Sequence, residues 1–194
     1  YRRQRQMCIR DRDAPLWMRH SVISPDGTTI AFTYKGDIYT VPVAGGRAMQ
    51  ITTNPAYDTA PVWSPDSKRI AFASDRMGSL DVYIVAKDGG EPRRLTTHSG
   101  SETPLAFTDA GHILFSAGIM PSAEAVVFPS NGQFNQVYRV SVEGGRPTMI
   151  SSMPMECISI NKEGAMLYQD KKGYEDYWRK HHVSPIARDI WMYT

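Results

Sequence analysis

Ser24-Pro25-Asp26-Gly27-Thr28-Thr29-Ile30-Ala31-Phe32 and Ser64-Pro65-Asp66-Ser67-Lys68-Arg69-Ile70-Ala71-Phe72 are variants of one phrase set 40 positions apart. The same design returns twice more. Thr108-Asp109-Ala110-Gly111 runs into His112-Ile113-Leu114-Phe115, and Asn161-Lys162-Glu163-Gly164 runs into Ala165-Met166-Leu167-Tyr168. The opener is a turn: proline fixes φ, aspartate bonds its own backbone, and glycine takes a position of positive φ. A second β-type run follows each first one: Ile38-Tyr39-Thr40-Val41, Val82-Tyr83-Ile84-Val85, Val137-Tyr138-Arg139-Val140 and Ile190-Trp191-Met192-Tyr193. Three of these lead to a diglycine, Gly45-Gly46, Gly89-Gly90 and Gly144-Gly145, as a tight reversal between strands requires.

Aliphatic and aromatic residues in such runs suit strands buried on both faces between stacked sheets. Each unit is therefore expected to be four short antiparallel strands, in the second unit near 60–64, 69–74, 81–86 and 92–96. Four strands in ~40–45 residues make one propeller blade. A β-sandwich also has short, evenly spaced strands, but not the same opener, aromatic run and diglycine over and over. The expectation is an all-β chain, a β-propeller fragment with three complete blades (17–53, 58–97, 102–152) and an incomplete fourth (155–194). The last residues, Trp191-Met192-Tyr193-Thr194, end inside a strand, so the natural protein is expected to continue.

Of the 194 residues, 41% are hydrophobic and 22% charged, which fits a globular protein and not a disordered one. Cys8 and Cys157 cannot make a disulfide framework. No run reaches the ~18–20 apolar residues of a membrane span, and no signal peptide is visible. Residues 1–12 hold five arginines against Asp11, a charge of +4 within a chain total of +2, so the remainder is at −2 and mildly acidic. That remainder offers no basic stripe for a phosphate backbone, and no nucleic-acid partner is expected. Residues 1–13 match no helix or strand period; they read as a non-native scar or a disordered basic arm, outside the fold.

The openers with their Ile-Ala-Phe runs resemble the propeller repeat of TolB-like proteins and tricorn-like serine peptidases. The nearer likeness is to bacterial tricorn-like peptidases with an N-terminal propeller. It rests on Pro15-Leu16-Trp17-Met18-Arg19, Tyr34-Lys35-Gly36-Asp37-Ile38-Tyr39, Ala56-Tyr57-Asp58-Thr59-Ala60-Pro61-Val62-Trp63, Trp178-Arg179-Lys180-His181-His182 and Arg188-Asp189-Ile190-Trp191. The resemblance implies a non-catalytic propeller that gates or docks peptide substrates for downstream domains, in a periplasmic or secreted serine peptidase. None of that family's catalytic residues has a counterpart here. The competing reading is a TolB-like interaction scaffold with no peptidase attached.

No G-x-S-x-G elbow is present, so no catalytic residue is expected in this chain. Adjacent His181 and His182 would point to opposite faces of a strand, and neither metal nor cofactor is expected. Asp58, Glu102 and Glu156 each precede the last apolar residue of a first strand by four or five positions. They are candidates for a ring of acids at the channel mouth, attracting the amino terminus or basic side chains of a peptide. The alternative is that each carboxylate bonds backbone donors in its own loop. Two insertions, 119–133 with Phe128 and 173–188 with Trp178, His181 and His182, are candidate interdomain contacts or lids.

Overall fold

The computed structural model describes residues 17–118, 135–153, 155–161, 164–170 and 190–193. They form four separate antiparallel sheets, each made of strands consecutive in the chain. The first holds β1 (Arg19–Ile23), β2 (Thr29–Tyr34), β3 (Asp37–Pro42) and β4 (Met49–Gln50). The second holds β5 (Asp58–Trp63), β6 (Arg69–Ser74), β7 (Asp81–Ala86) and β8 (Arg93–Arg94). The third holds β9 (Glu102–Asp109), β10 (His112–Ala117), β11 (Gln136–Ser141) and β12 (Thr148–Ser151). The fourth shows β13 (Met155–Ile160), β14 (Met166–Asp170) and β15 (Ile190–Tyr193). This is the expected all-β propeller arrangement of four-stranded blades with a shorter last one.

The openers act as their chemistry predicts. In the first, Ser24 Oγ donates to Asp26 Oδ1 at 2.6 Å, and the same oxygen accepts the Thr28 amide at 2.9 Å. These bonds, the Ser24 hydroxyl's first among them, hold the Asp26 carboxyl down at about 2. In the second opener Ser67 stands where Gly27 stands in the first, and takes φ of 57°, a strained conformation for a residue with a Cβ. Its hydroxyl accepts the Asp26 amide at 3.1 Å and so links two blades. Both residues of the Gly45-Gly46 turn have positive φ (86° and 124°), and the other two diglycines repeat the geometry.

Every inner strand carries a bulge. The register slips between Arg19 and Val22 in β1, between Thr59 and Val62 in β5, and between Glu156 and Ser159 in β13. At the slip His20, Ala60 and Cys157 adopt φ of 51°, 51° and 52°. In β9 there are two extra residues, Leu105 between Pro104 and Ala106 and Thr108 between Phe107 and Asp109. A bulge adds local twist and bends the strand.

The core lies between blades. Ala31, Ile38 and Ile51 of the first meet Ile70, Phe72 and Val85 of the second. Ala71, Val82 and Ile84 of the second meet Ile113, Phe115 and Val140 of the third. Leu114 and Val137 of the third meet Met155, Met166 and Tyr168 of the fourth. Each full burial of a side chain like Phe72 or Phe115 stabilises by ~1.5–3 kcal/mol. One cross-strand aromatic pair recurs in the first three blades: Phe32–Tyr39, Phe72–Tyr83 and Phe115–Tyr138, stacked with centroids 5.9, 5.9 and 5.6 Å apart.

Candidate functional site

At one end of the stack the first residue of β5 and of β9 is stitched to the preceding blade's β2–β3-type loop. The Asp58 amide donates to the Gly36 carbonyl at 2.8 Å, and the Glu102 amide to the Leu80 carbonyl at 2.7 Å. This brings an acid that opens one blade beside an acid that opens the third strand of the blade before it: Asp58 beside Asp37, and Glu102 beside Asp81. A threonine completes each seam, Thr52 Oγ1 accepting the Ile38 amide at 3.0 Å and Thr96 Oγ1 the Val82 amide at 2.9 Å.

The second blade supplies both arginines. Arg76 Nη2 lies 3.0 Å from each carboxylate oxygen of Asp58, and its Nε donates to Ser74 Oγ at 2.9 Å. The same guanidinium sits 4.6 Å from the Tyr83 ring centroid and 5.6 Å from that of Phe72. Arg94 Nη2 lies 2.9 Å from Asp81 Oδ2, an ion pair whose alignment falls short of a hydrogen bond. Each seam thus holds two acids and one arginine. In the first, burial and the charge of Asp58 push Asp37 up to about 6, while Thr52, Gln50 and Arg76 pull it back. In the second, burial pushes Glu102 up to about 7.

Asp58 and Glu102 are fully buried in these seams and do not stand open to a channel. Asp58 is bound by a side chain, Arg76, and not by donors of its own loop. The third member of the expected ring is displaced. Met155, five residues before Ile160, occupies the place of Asp58 before Trp63 and Glu102 before Phe107, as the strand registers show. Glu156 lies one position on, level with Thr59, and a one-residue step turns a side chain to the other face. The third seam is therefore built from Gln136 and Met155, with no acid in either place. Phe128, Trp178, His181 and His182 lie outside the described residues.

Over the second blade, beside these pairs, opens a cleft of about 550 Å³. Asn54 and Pro55 of the connection from the first blade form one wall, and Glu91 and Pro92 another. Arg76, Tyr83 and Arg94 line it, and Met77 projects at its edge, 65% exposed. Each guanidinium keeps one terminal nitrogen, Nη1, with no partner among the described residues. The cleft therefore offers two cationic donors and two prolines, beside the buried ring of Tyr83. Among the described residues no group of three or more His, Cys, Asp or Glu comes together to hold a metal.

Residues 15–194 match the family described as the tricorn protease N-terminal beta propeller domain. The chain belongs to that family. Tricorn protease homolog 1 of Streptomyces coelicolor is 24% identical over 180 residues, covering 92% of this chain and 16% of that protein. Among solved structures, the tricorn protease superposes with a TM-score of 0.63 at 12% identity, over 91% of this chain and 21% of the other. A putative TolB from Agrobacterium tumefaciens gives a TM-score of 0.65 at 18% identity, over 81% of this chain and 55% of the other. The tricorn-type propeller described here thus spans about a sixth of the length of its curated relative.

The arginines, Asp37 and Asp81 were not singled out in the sequence, though one signal for part of the set is there. Asp37, Gln50, Thr52 and Asp58 recur 44 positions later as Asp81, Arg94, Thr96 and Glu102. Arg76 has no such echo, because its loop is absent from the two-residue turn Lys35-Gly36 of the first blade.

Proposed function

We propose that these blades are the non-catalytic, substrate-docking wall of a tricorn-like serine peptidase acting outside the cytoplasm, and that peptides bind in the cleft over the second blade before reaching catalytic domains elsewhere in the protein. The observation that carries this reading is the cleft itself. Arg76 and Arg94 offer peptide carbonyls and carboxylates free N–H donors, and Pro55 and Pro92 offer apolar walls. The buried acids serve a different purpose from that of a mouth ring: they hold the two guanidinium groups in place.

The test is photo-cross-linking of a mixed peptide library to the chain, with a photoreactive residue at Met77 and, separately, at the remote exposed position Met149. Cross-linking at 77 but not at 149, suppressed by an excess of unlabelled peptide, supports docking in the cleft. Equal labelling at both positions would sink it. The likeness to TolB favours a second reading, an interaction scaffold for folded proteins. That reading predicts capture of a folded partner, and no competition by short peptides.

A further inference from the structure

Glu102 is fully buried where the third blade meets the second, and neither of its carboxyl oxygens has a hydrogen-bond partner. The charged groups that act on it are Asp81 from β7 and Arg94 from β8, and the hydroxyl of Thr96 is the remaining polar one. Arg94 is already committed to Asp81, 2.9 Å away and itself fully buried. Both members of that ion pair belong to the second blade, so the pair is neutral before the third blade arrives. Glu102 brings a further acid and no cation. A charged carboxylate in this place would be buried, unpaired and beside another acid, which is costly; a neutral one is far less so. The third seam, with Gln136 and Met155 in these places, carries no such group.

We infer that the seam between the second and third blades is a proton-operated joint: with a proton on Glu102 the blades dock closely, and loss of that proton loosens them. Burial raises Glu102 well above an ordinary glutamate, with Thr96 and Arg94 pulling it back and Asp81 pushing it up, to about 7. The folded seam therefore holds a proton that the opened seam releases. Seam stability is greatest below an ordinary glutamate's range, falls as pH rises through it towards 7, and is flat above. Within that window the population of the open joint grows about tenfold per pH unit.

Hydrogen exchange of the full chain between pH 5 and 8, corrected for intrinsic rates, measures this directly. The Val82 and Glu102 amides, which bond within this seam, are expected to lose about tenfold protection per unit up to pH 7 and then level off. The Val137 amide, beside the seam that has Gln136 and Met155 in these places, is expected to change far less. In Glu102→Gln the slope vanishes and protection at pH 7 rises. Should that variant fold poorly, Asp81→Asn removes the neighbouring acid and is expected to move the break to lower pH. Infrared difference spectra supply an independent readout, a carboxylic-acid C=O stretch at pH 6 that is weaker by one carboxyl group in Glu102→Gln. A wild-type slope that survives in Glu102→Gln, or protection at Val82 and Glu102 that is flat with pH, overturns the inference.

Discussion

Replacing Arg76 with alanine is the sharpest test of how the blades are held. Asp58 is fully buried, and the Arg76 guanidinium, 13% exposed, lies 3.0 Å from both of its oxygens. Removing one member of such a pair strands the other, which costs ~3–5 kcal/mol. The lost contacts to the Tyr83 and Phe72 rings add ~0.5–2 kcal/mol. Against a total of ~5–15 kcal/mol for a domain, Arg76→Ala is expected to remove a large share of the stability. Urea unfolding at pH 7 reads the loss as a lower midpoint with an unchanged slope. The double variant Arg76→Ala, Asp58→Ala removes the stranded charge along with its partner. It is expected to recover ~2 kcal/mol or more relative to the sum of the two single changes. A single-variant loss below ~1 kcal/mol, or strictly additive changes, would show that Asp58 does not depend on Arg76, and the reasoning would fail.

The remaining predictions concern the backbone and the seams. Ser67→Gly relieves a positive φ but loses the hydroxyl that holds the Asp26 amide, so its unfolding midpoint is expected near wild type, while Ser67→Ala keeps the strain and falls by ~1–2 kcal/mol. Ala60→Val puts a β-branched residue at φ of 51° and is expected to cost more than ~2 kcal/mol, whereas Ala60→Gly, checked by the same thermal melts, is expected to change stability by less than ~1 kcal/mol. Met155→Asp sets an acid into a buried apolar place and is expected to lose ~3 kcal/mol or more in urea, while Met155→Leu stays within ~1.5 kcal/mol.

The blades were legible because what defines them is local. An Asp26 that bonds its own turn, or a glycine pair that supplies two positive φ values, leaves its signature within four residues. The phrases Arg69-Ile70-Ala71-Phe72 and Val82-Tyr83-Ile84-Val85 fell inside strands β6 and β7 for the same reason. The seams were less legible, because they join residues from different repeats. Glu156 looked equivalent to Asp58 when counted by position, yet the bulge and register of β13 put Met155 in that place. Arg76 could not be found by comparing the first two repeats, since the matching turn of the first blade is only Lys35-Gly36. Ser67 shows the limit of reading glycine as the marker of a positive φ: the position kept the conformation and changed the residue.

The three seams differ in kind: Asp37 faces Asp58, Asp81 faces Glu102, and Gln136 shares its seam with Met155. Both ion pairs, Asp58 with Arg76 and Asp81 with Arg94, lie wholly inside the second blade, which therefore neutralises its own acids wherever it is placed. Among the described residues, the seam acids Asp37 and Glu102 have no such partner within their own blades. Exchanging the second and third would set Asp37 against Glu102 with no arginine between them, and Asp81 against a methionine. The repeats share a shape but are not interchangeable parts. The place of the second blade in the chain is stored in charge, and recombination meets an electrostatic address at the junctions where Asp37 and Glu102 are set.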